Sequence, residues 1–331
     1  MPTASPARRL FETAVVWDTH AGFSPDPAAD LSNLQRWRDA GVDYLSINVG
    51  YDVLPWQNAV KTLAAFRRWI SAHGDEYVIV ASANEVRKAK ADGKMAVTFD
   101  LEGTNPLDGR LEMVELYYSL GVRQMLFAYN RNNAAGGGCH DEDSGLTDFG
   151  RAIIDEMNRL GMFVDVSHCS YRTSMEAIAY SRQPVIFSHS NARALCDHER
   201  NIRDEQIVAC AQRGGVIGVN GISLFLGDPH VSSERFVDHV DYMIALAGPL
   251  HVGIGLDYVF PVGSEDVDAV VRANPHFWPP DRGYDVAEVT CAHPSQLLEV
   301  AEIMLRRGHS EQTIRGVLGE NFLRLAAEIW K

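Results

Sequence analysis

Short runs of apolar and β-branched residues recur along the chain, and they alternate with longer segments in which apolar residues follow a helical period. Such runs are typical of buried parallel strands, because helices cover both faces of a parallel sheet. Eight runs occur, at residues 15–20, 42–50, 94–103, 122–130, 162–168, 184–190, 215–223 and 251–258. The alternation predicts repeated strand–helix units, and the count predicts a (β/α)8 barrel of the TIM type.

The rest of the chain is consistent with a single barrel. Three amphipathic segments follow the eighth run and are predicted to be helices that close the domain: PSQLLEVAEIMLRRG, SEQTIRGVLG and ENFLRLAAEIW. The sequence shows no linker, internal repeat or low-complexity tract, so residues 1–331 are predicted to form one barrel domain with C-terminal helices. Long segments at 131–147 and 261–295 are predicted to cover the face on which the strands end.

Composition and charge narrow the class of protein. Hydrophobic residues make up 46% of the 331 residues, which is enough for a large core. The formal net charge is −14 and no Lys/Arg-rich run occurs, so we expect no nucleic-acid partner. No segment has the apolar length of a secretory or membrane-spanning stretch, and we therefore expect no membrane partner and a cytoplasmic location. The five cysteines are scattered without a C-x-x-C pair and are predicted to be free thiols.

Candidate metal ligands stand at the ends of four predicted strands: His20 in VVWDTH, Glu102 in VTFDLEG, His168 in VDVSH and His189 in VIFSHS. The carboxyl ends of barrel strands meet on one face, so side chains far apart in sequence can converge there on one ion. Zinc prefers imidazole nitrogen and carboxylate oxygen, although such a set also admits other first-row metals. The pattern predicts a metal-dependent hydrolase.

Several longer motifs resemble the renal or membrane dipeptidases, the zinc peptidase family M19 of the amidohydrolase superfamily. The resemblance covers nearly the whole chain. It rests on DTH at 18–20, DLEG at 100–103, GLTDFG at 145–150, EMNRLGMFVDVSH at 156–168, FSHSNARAL at 187–195, RNIRDEQI at 200–207, GVIGVN at 215–220, GIGLDY at 253–258 and GENFLRL at 319–325.

The resemblance implies a homodimeric barrel enzyme in which two zinc ions, bridged by a glutamate, support the hydrolysis of the amide bond of dipeptides. Glu102 falls at the bridging carboxylate. His168 and His189 fall at ligands of one ion, and His20 falls at a ligand of the other.

Two further positions carry expected roles toward the substrate. Arg200 matches an arginine that holds the substrate carboxylate, a task suited to a planar bidentate donor. Asp257 matches a carboxylate that accepts the proton of the attacking water and passes it to the leaving amine. Taken alone, Asp257 is equally consistent with a residue that orients an imidazole.

The chain departs from the family pattern at three positions. Residues 20–22 read HAG where the family has His-x-Asp, so Gly22 removes the usual carboxylate of the second zinc site. Asp18 shares the strand face of His20 but is expected one layer deeper in the barrel. Tyr129 replaces a histidine that polarises the scissile carbonyl, and its phenol is expected to bind substrate by donating to the oxyanion. Val259 stands where a second aspartate is usual.

Three hypotheses follow from these matches and departures. The leading one is a hydrolase of dipeptides or related amides that uses one or two zinc ions, with the second ion in question because of Gly22. The second keeps the barrel and the metal but assigns a non-peptide amide, lactam or lactone as substrate. The third is a catalytically silent binding protein, which would leave the polar ligands as an unneeded buried burden.

Overall fold

The computed structural model describes residues 5–22, 25–259, 267–284 and 289–331. Within these ranges the strands are β1 (Trp17–Ala21), β2 (Tyr44–Tyr51), β3 (Tyr77–Ile79), β4 (Met95–Glu102), β5 (Val122–Leu126), β6 (Phe163–Asp165), β7 (Val185–Ile186), β8 (Ile217–Val219) and β9 (Val252–Ile254). Part of the predicted loop at 261–295 lies outside the described residues.

Helices connect and surround these strands. The α-helices are α1 (Pro6–Thr13), α2 (Gln35–Asp39), α3 (Trp56–Ala72), α4 (Ala83–Ala91), α5 (Glu112–Ser119), α6 (Asp148–Leu160), α7 (Tyr171–Tyr180), α8 (Asp204–Gln212), α9 (Ser223–Leu226), α10 (Ser233–Ala247), α11 (Val267–Ala273), α12 (Leu297–Arg306), α13 (Glu311–Arg315) and α14 (Asn321–Ile329). Short 3-10 turns lie at Leu31–Leu34, Asn105–Leu107, Pro280–Arg282 and Pro294–Gln296, and a π turn at Gly316–Glu320. Within the described ranges, no helix is both long and apolar enough to traverse a bilayer.

The strands form a curled parallel sheet in the order β1–β2–β4–β5–β6–β7, and β8 pairs with β9 in parallel. A parallel bridge between Phe187 and Ile217 joins β7 to β8. The ring closes where the Asp257 amide donates to the His20 carbonyl at 3.1 Å, beside β9 and β1. These eight strands lie at the eight predicted runs, so the predicted TIM-type barrel is confirmed.

Strand β3 was not predicted, and it lies outside the ring. Among the described strands it pairs only with β4, at the first residues of that strand and on the side that β5 occupies further along. Three residues are too short a run to show a periodicity that distinguishes a strand from the end of a loop.

The amino-terminal end of the barrel is filled by aromatic side chains. Trp17 of β1 stacks on Tyr44 of β2 with ring centroids 3.5 Å apart, and it lies 6.3 Å from Phe322 of α14. Trp330, just after α14, packs against Phe163 of β6 at 5.2 Å. Helices α12, α13 and α14 lie at the three predicted C-terminal segments. Through these aromatic contacts α14 covers the end of the barrel away from the predicted ligands.

Glycine permits close contact between strands near the predicted ligand His189. A Cβ atom at Gly218 in β8 would lie 2.0 Å from the carbonyl oxygen of Ser188, and one at Gly255 would lie 1.9 Å from the same oxygen. Real side chains do not tolerate such distances, so these glycines allow the backbone of β8 and β9 to pack directly against the residue that precedes His189.

We expect Gly218→Ala to lower the free energy of unfolding by about 1–3 kcal/mol, because the added methyl group overpacks this junction. Urea unfolding would measure the change. Gly74→Ala is the matched control, since its Cβ would meet the Ser71 carbonyl at an ordinary 3.6 Å on an exposed turn. Equal stability of the two variants would contradict the close approach of β7 and β8.

Candidate metal centre and substrate pocket

The four predicted ligands come from four parts of the ring. His20 lies within β1 and Glu102 is the last residue of β4. His168 and His189 each lie three residues beyond the end of their strands, β6 and β7. His168 has a φ of 62°, in the left-handed region, so the chain turns sharply as it leaves β6. The four predicted ligands therefore lie at or near the ends of strands, as expected. His168 and His189 are in the turns after their strands, not in the strands themselves.

The three imidazoles converge on one carboxylate oxygen. Glu102 Oε1 lies 3.4 Å from Nε2 of His20, 3.3 Å from Nε2 of His168 and 3.4 Å from Nε2 of His189. The Nε2 atoms of His168 and His189 are 3.0 Å apart. All four side chains are almost completely buried. The structure thus gathers the predicted ligands at one point, and their binding of a metal stays a prediction.

Each imidazole is oriented through its other nitrogen. Nδ1 of His168 lies 2.7 Å from Asn130 Oδ1, and Nδ1 of His189 lies 2.6 Å from Ser188 Oγ. Nδ1 of His20 lies 3.3 Å from a carboxylate oxygen of Asp100. An acceptor at Nδ1 places the proton there and leaves the Nε2 lone pair facing the centre.

The partners of these imidazoles were not predicted, although each has a signal in the sequence. Asp100 shares the strand-face parity of Glu102, Asn130 directly follows Tyr129, and Ser188 directly precedes His189. The strand-face parity that relates Asp18 to His20 also relates Asp100 to Glu102 and would have singled out Asp100. Asn130 adopts a φ of 61°, which sequence patterns do not reveal.

The donor set fits a cation. Burial, together with the nearby charge of Arg200 or His20, lowers the pKa of His168 and of His189 well below the usual range, so both are neutral. If both rings carry their proton on Nδ1, the Nε2 lone pairs of His168 and His189 face each other across 3.0 Å. A cation between them and Glu102 would convert this repulsion into coordination.

The remaining charges also favour a cation. Burial lowers the pKa of His20, but the carboxylates of Asp100 and Glu102 outweigh it and raise that pKa to about 10. Burial raises the pKa of Glu102 to about 8. The buried carboxylates therefore need a positive charge beside them. Without a metal, a proton on His20 or Glu102 supplies that charge, and a bound metal would replace the proton.

Arg200 lies beside this centre. Its guanidinium donates to the His189 carbonyl at 2.8 Å and to Ser190 Oγ at 3.1 Å. The residue is 2% exposed, and its Nε has no hydrogen-bond partner among the described residues. Within the same ranges no carboxylate forms an ion pair with it. A buried guanidinium without a carboxylate at ion-pair distance favours binding of an anionic group, because a buried charge is costly when it lacks a close partner.

An aromatic cluster covers the other side of the centre. The Tyr129 ring stacks on the His168 ring with centroids 4.3 Å apart, and it packs against Tyr51 at 5.5 Å and Trp278 at 5.7 Å. Burial and the negative charge of Glu102 raise the pKa of Tyr129 well above its usual range, so the phenol keeps its proton. Tyr129 is therefore a neutral hydrogen-bond donor beside the predicted ligands.

Asp257 follows β9 and reaches the same centre. Its Oδ1 lies 3.7 Å from Nε2 of His20, and its Oδ2 accepts from Asn220 Nδ2 at 2.9 Å. Its φ of 54° is left-handed. Burial raises the pKa of Asp257, partly offset by the positive charges of His20 and Arg200. Asn220, at the end of β8, was not predicted to contribute.

Both carboxylate oxygens of Asp18 have hydrogen-bond partners away from the candidate ligands. One of its carboxylate oxygens accepts from the Leu256 amide at 2.9 Å, and the other accepts from Trp37 Nε1 at 2.8 Å. The bond to Leu256 connects β1 to the segment after β9, at the position where the barrel closes. Val259, the third departure, has its amide 3.4 Å from Cys291 Sγ.

The long segment at 131–147 is more closely packed than a solvated lid. His140 is 6% exposed, and its ring nitrogens lie 3.1 Å from Glu199 and 3.0 Å from Tyr284 Oη. Asp141 pairs with Arg131 at 2.7 Å. His140 therefore joins the segment to neighbouring loops, and the pair of Asp141 with Arg131 links the two sides of the segment itself.

The chain is similar in sequence to known proteins. Residues 28–273 match the family described as membrane dipeptidase, peptidase family M19. An uncharacterized dipeptidase of Schizosaccharomyces pombe is 31% identical over 287 residues, which is 83% of this chain and 62% of the yeast protein. The chain thus spans less than two thirds of the length of that relative.

Solved structures share the fold over almost the whole chain. An amidohydrolase from Pseudomonas aeruginosa superposes with a TM-score of 0.89 at 26% identity and covers 98% of this chain and 99% of its own. A metallopeptidase from Rhodobacter sphaeroides, liganded with a phosphinate mimic of the dipeptide L-Ala-D-Ala, has a TM-score of 0.77 at 21% identity and covers 96% of this chain and 100% of its own. The latter likeness shows the fold.

We expect Asn130→Ala to weaken binding of a divalent metal by about 10- to 100-fold, because the Nδ1 partner of His168 is lost. Competition with a chromophoric chelator would measure the affinity. Asn158→Ala is the control, since this buried asparagine bonds Ser181 and the Gln183 amide instead of a histidine of the centre. An unchanged affinity in Asn130→Ala would show that Asn130 does not orient the ligand.

Proposed function

The chain belongs to the membrane dipeptidase family, peptidase family M19, and on that premise we propose that it is a zinc-dependent dipeptidase. The observation that carries the proposal is the position of Arg200, a buried guanidinium that has no ion-pair partner among the described residues and donates to the backbone of His189 at 2.8 Å. A carboxylate-binding group thus stands next to a buried cluster of nitrogen and oxygen ligands. This pairing suits a small substrate that carries a free carboxylate close to its scissile amide.

We assign the metal to the histidine–glutamate cluster. Glu102, His168 and His189 would hold at least one zinc ion, and His20 offers a further nitrogen. Zinc bound there would polarise the scissile carbonyl and lower the pKa of a water molecule to about 7.

The other side chains then act on the substrate. Arg200 would bind the terminal carboxylate and fix the distance from that end to the amide. Asp257 would accept the proton of the attacking water and deliver it to the leaving amine. Tyr129, held neutral by burial, would donate its phenolic hydrogen to the developing oxyanion.

The alternatives are less well supported. The candidate ligands are buried together and each imidazole has a polar partner at Nδ1, which supports a metal site and which a silent binding protein would not need. No observation favours a lactam or lactone over a peptide amide. A lactone control in the substrate panel keeps that hypothesis testable.

The proposal extends to the form of the protein. We propose that residues 1–331 act as one barrel domain in a cytoplasmic homodimer, as the family resemblance implies. Light scattering of the purified protein would give the oligomeric state, and a mass of one chain of 36.6 kDa would contradict the dimer.

We expect amine release from a panel of L,L- and L,D-dipeptides, including L-Ala-D-Ala, by the zinc-loaded protein. The activity should disappear on addition of a chelator and return with zinc, because the metal supplies the activated water. His189→Ala is the inactive control, and His230→Ala, an exposed histidine, should retain full activity. Absence of dipeptide turnover with hydrolysis of a lactone would transfer the assignment to the second hypothesis.

We expect Arg200→Lys to raise KM for dipeptides at least about tenfold, because an ammonium cannot replace the bidentate guanidinium. Dipeptides with an amidated carboxyl end should be poor substrates of the unaltered protein and should lose little further activity in the variant. Arg193→Lys is the matched control, since Arg193 pairs with the exposed carboxylate of Asp197 at 2.8 Å. Equal losses on free and amidated dipeptides would contradict carboxylate binding by Arg200.

A further inference from the structure

Position 22 has no room for a side chain. An ideal Cβ atom at Gly22 would lie 1.8 Å from Asp257 Oδ1 and 3.0 Å from the Asp257 carboxyl carbon. The carboxylate of Asp257 therefore occupies the volume that any residue other than glycine would fill with its side chain. Gly22 directly follows β1, the strand that carries His20. Asp257 follows β9, which lies on the other side of the position where the barrel closes.

This carboxylate is held in place by several contacts. Asn220 Nδ2 donates to Oδ2 at 2.9 Å, and the Asp257 amide donates to the His20 carbonyl at 3.1 Å. The φ of 54° at Asp257 is a strained conformation for a residue other than glycine, so the surrounding contacts must hold it. Together these contacts leave Oδ1 directed at the space beside Gly22 and His20.

His20 presents an unused nitrogen to the same space. Its Nε2 is buried and has no hydrogen-bond partner among the described residues. Glu102 Oε1 lies 3.4 Å from it and Asp257 Oδ1 lies 3.7 Å from it. One imidazole nitrogen and two carboxylate oxygens thus lie around the space beside Gly22.

We propose that Asp257, through Oδ1, supplies the carboxylate of a second divalent-cation site completed by His20 and Glu102. Gly22 is then the residue that leaves space for this ligand, and its lack of a side chain is a requirement of the site instead of a defect. The inference rests on the proposed function for the presence of a metal at the neighbouring site, which Glu102 shares.

The donor set predicts the character of the second site. The first site offers two imidazole nitrogens and one carboxylate, whereas the second offers one nitrogen and two carboxylates. Oxygen-rich sets suit harder cations, so the second equivalent of Zn²⁺ should bind more weakly than the first and exchange more readily for Mn²⁺. Asp257 would serve this cation through one lone pair of Oδ1 and keep the other lone pair of that oxygen for the water proton, while Oδ2 remains bonded to Asn220.

In the test, Zn²⁺ is added to the metal-free full chain, and the number of bound ions is measured by competition with a chromophoric chelator and by elemental analysis. We expect two equivalents in the unaltered protein, the second weaker than the first. Asp257→Asn keeps the shape of the side chain but removes its charge, so it should weaken the second equivalent at least about tenfold and leave the first unchanged. Asp92→Asn, an exposed aspartate paired with Lys88, is the matched control and should bind both equivalents.

A second variant tests the space itself. Gly22→Ala places a methyl group where Oδ1 lies, so it should displace the carboxylate and weaken the second equivalent while the first is retained. Retention of the first equivalent also shows that the barrel has folded. Two equivalents bound as tightly as in the unaltered protein, in either variant, would overturn the proposal.

The remaining outcomes are also decisive. A single equivalent in the unaltered protein would overturn the second site. Loss of turnover in Asp257→Asn with both equivalents retained would show that Asp257 serves only as a proton acceptor. A protein that binds two equivalents, loses the second in both variants and yet hydrolyses no dipeptide would support the second site and contradict the proposed function.

Discussion

The site is built around one buried oxygen atom. Glu102 Oε1 lies within 3.4 Å of three imidazole nitrogens that come from three separate parts of the barrel. Such an arrangement exists only if β1, β4, β6 and β7 keep their order and register, because each strand fixes one direction of approach. The same crowding is electrostatically unfavourable in a dry interior without a cation. The geometry of the barrel and the chemistry of the centre therefore constrain each other.

Stabilising such a centre requires a second layer of polar contacts. Asp100 and Asn130 hold Nδ1 of two of the imidazoles, and Ser188 holds that of the third. Three residues at the centre, Asn130, His168 and Asp257, also adopt left-handed backbone conformations. Strain of this kind persists when the surrounding structure over-determines it, and here the close packing of glycines on the backbone of Ser188 contributes to that rigidity.

The sequence predicted the barrel, and it predicted that the candidate ligands would lie where its strands end, because both depend on local patterns. Apolar runs marked all eight strands of the ring, and polar residues at their ends marked His20, Glu102, His168 and His189. Strand β3 escaped because three residues carry no period. The function of Asp18 where the barrel closes and the overlap of Gly22 with Asp257 could not be predicted, since each arises from contacts between opposite ends of the sequence. Non-local closure is not encoded in a local pattern.

The packing of Trp17 against α14, together with the hydrogen bonds between β1 and the segment after β9, has a consequence for the order of assembly. Glu102, His168 and His189 sit on or just after β4, β6 and β7, which with the intervening β5 form one continuous part of the sheet, so they can meet before the ring is closed. His20 and Asp257 face each other only across the position where the barrel closes. Contacts of high sequence separation form late, because loop-closure entropy opposes them. Folding would thus complete the nitrogen-rich half of the centre first, and metal captured there would be enclosed as the two ends of the barrel dock.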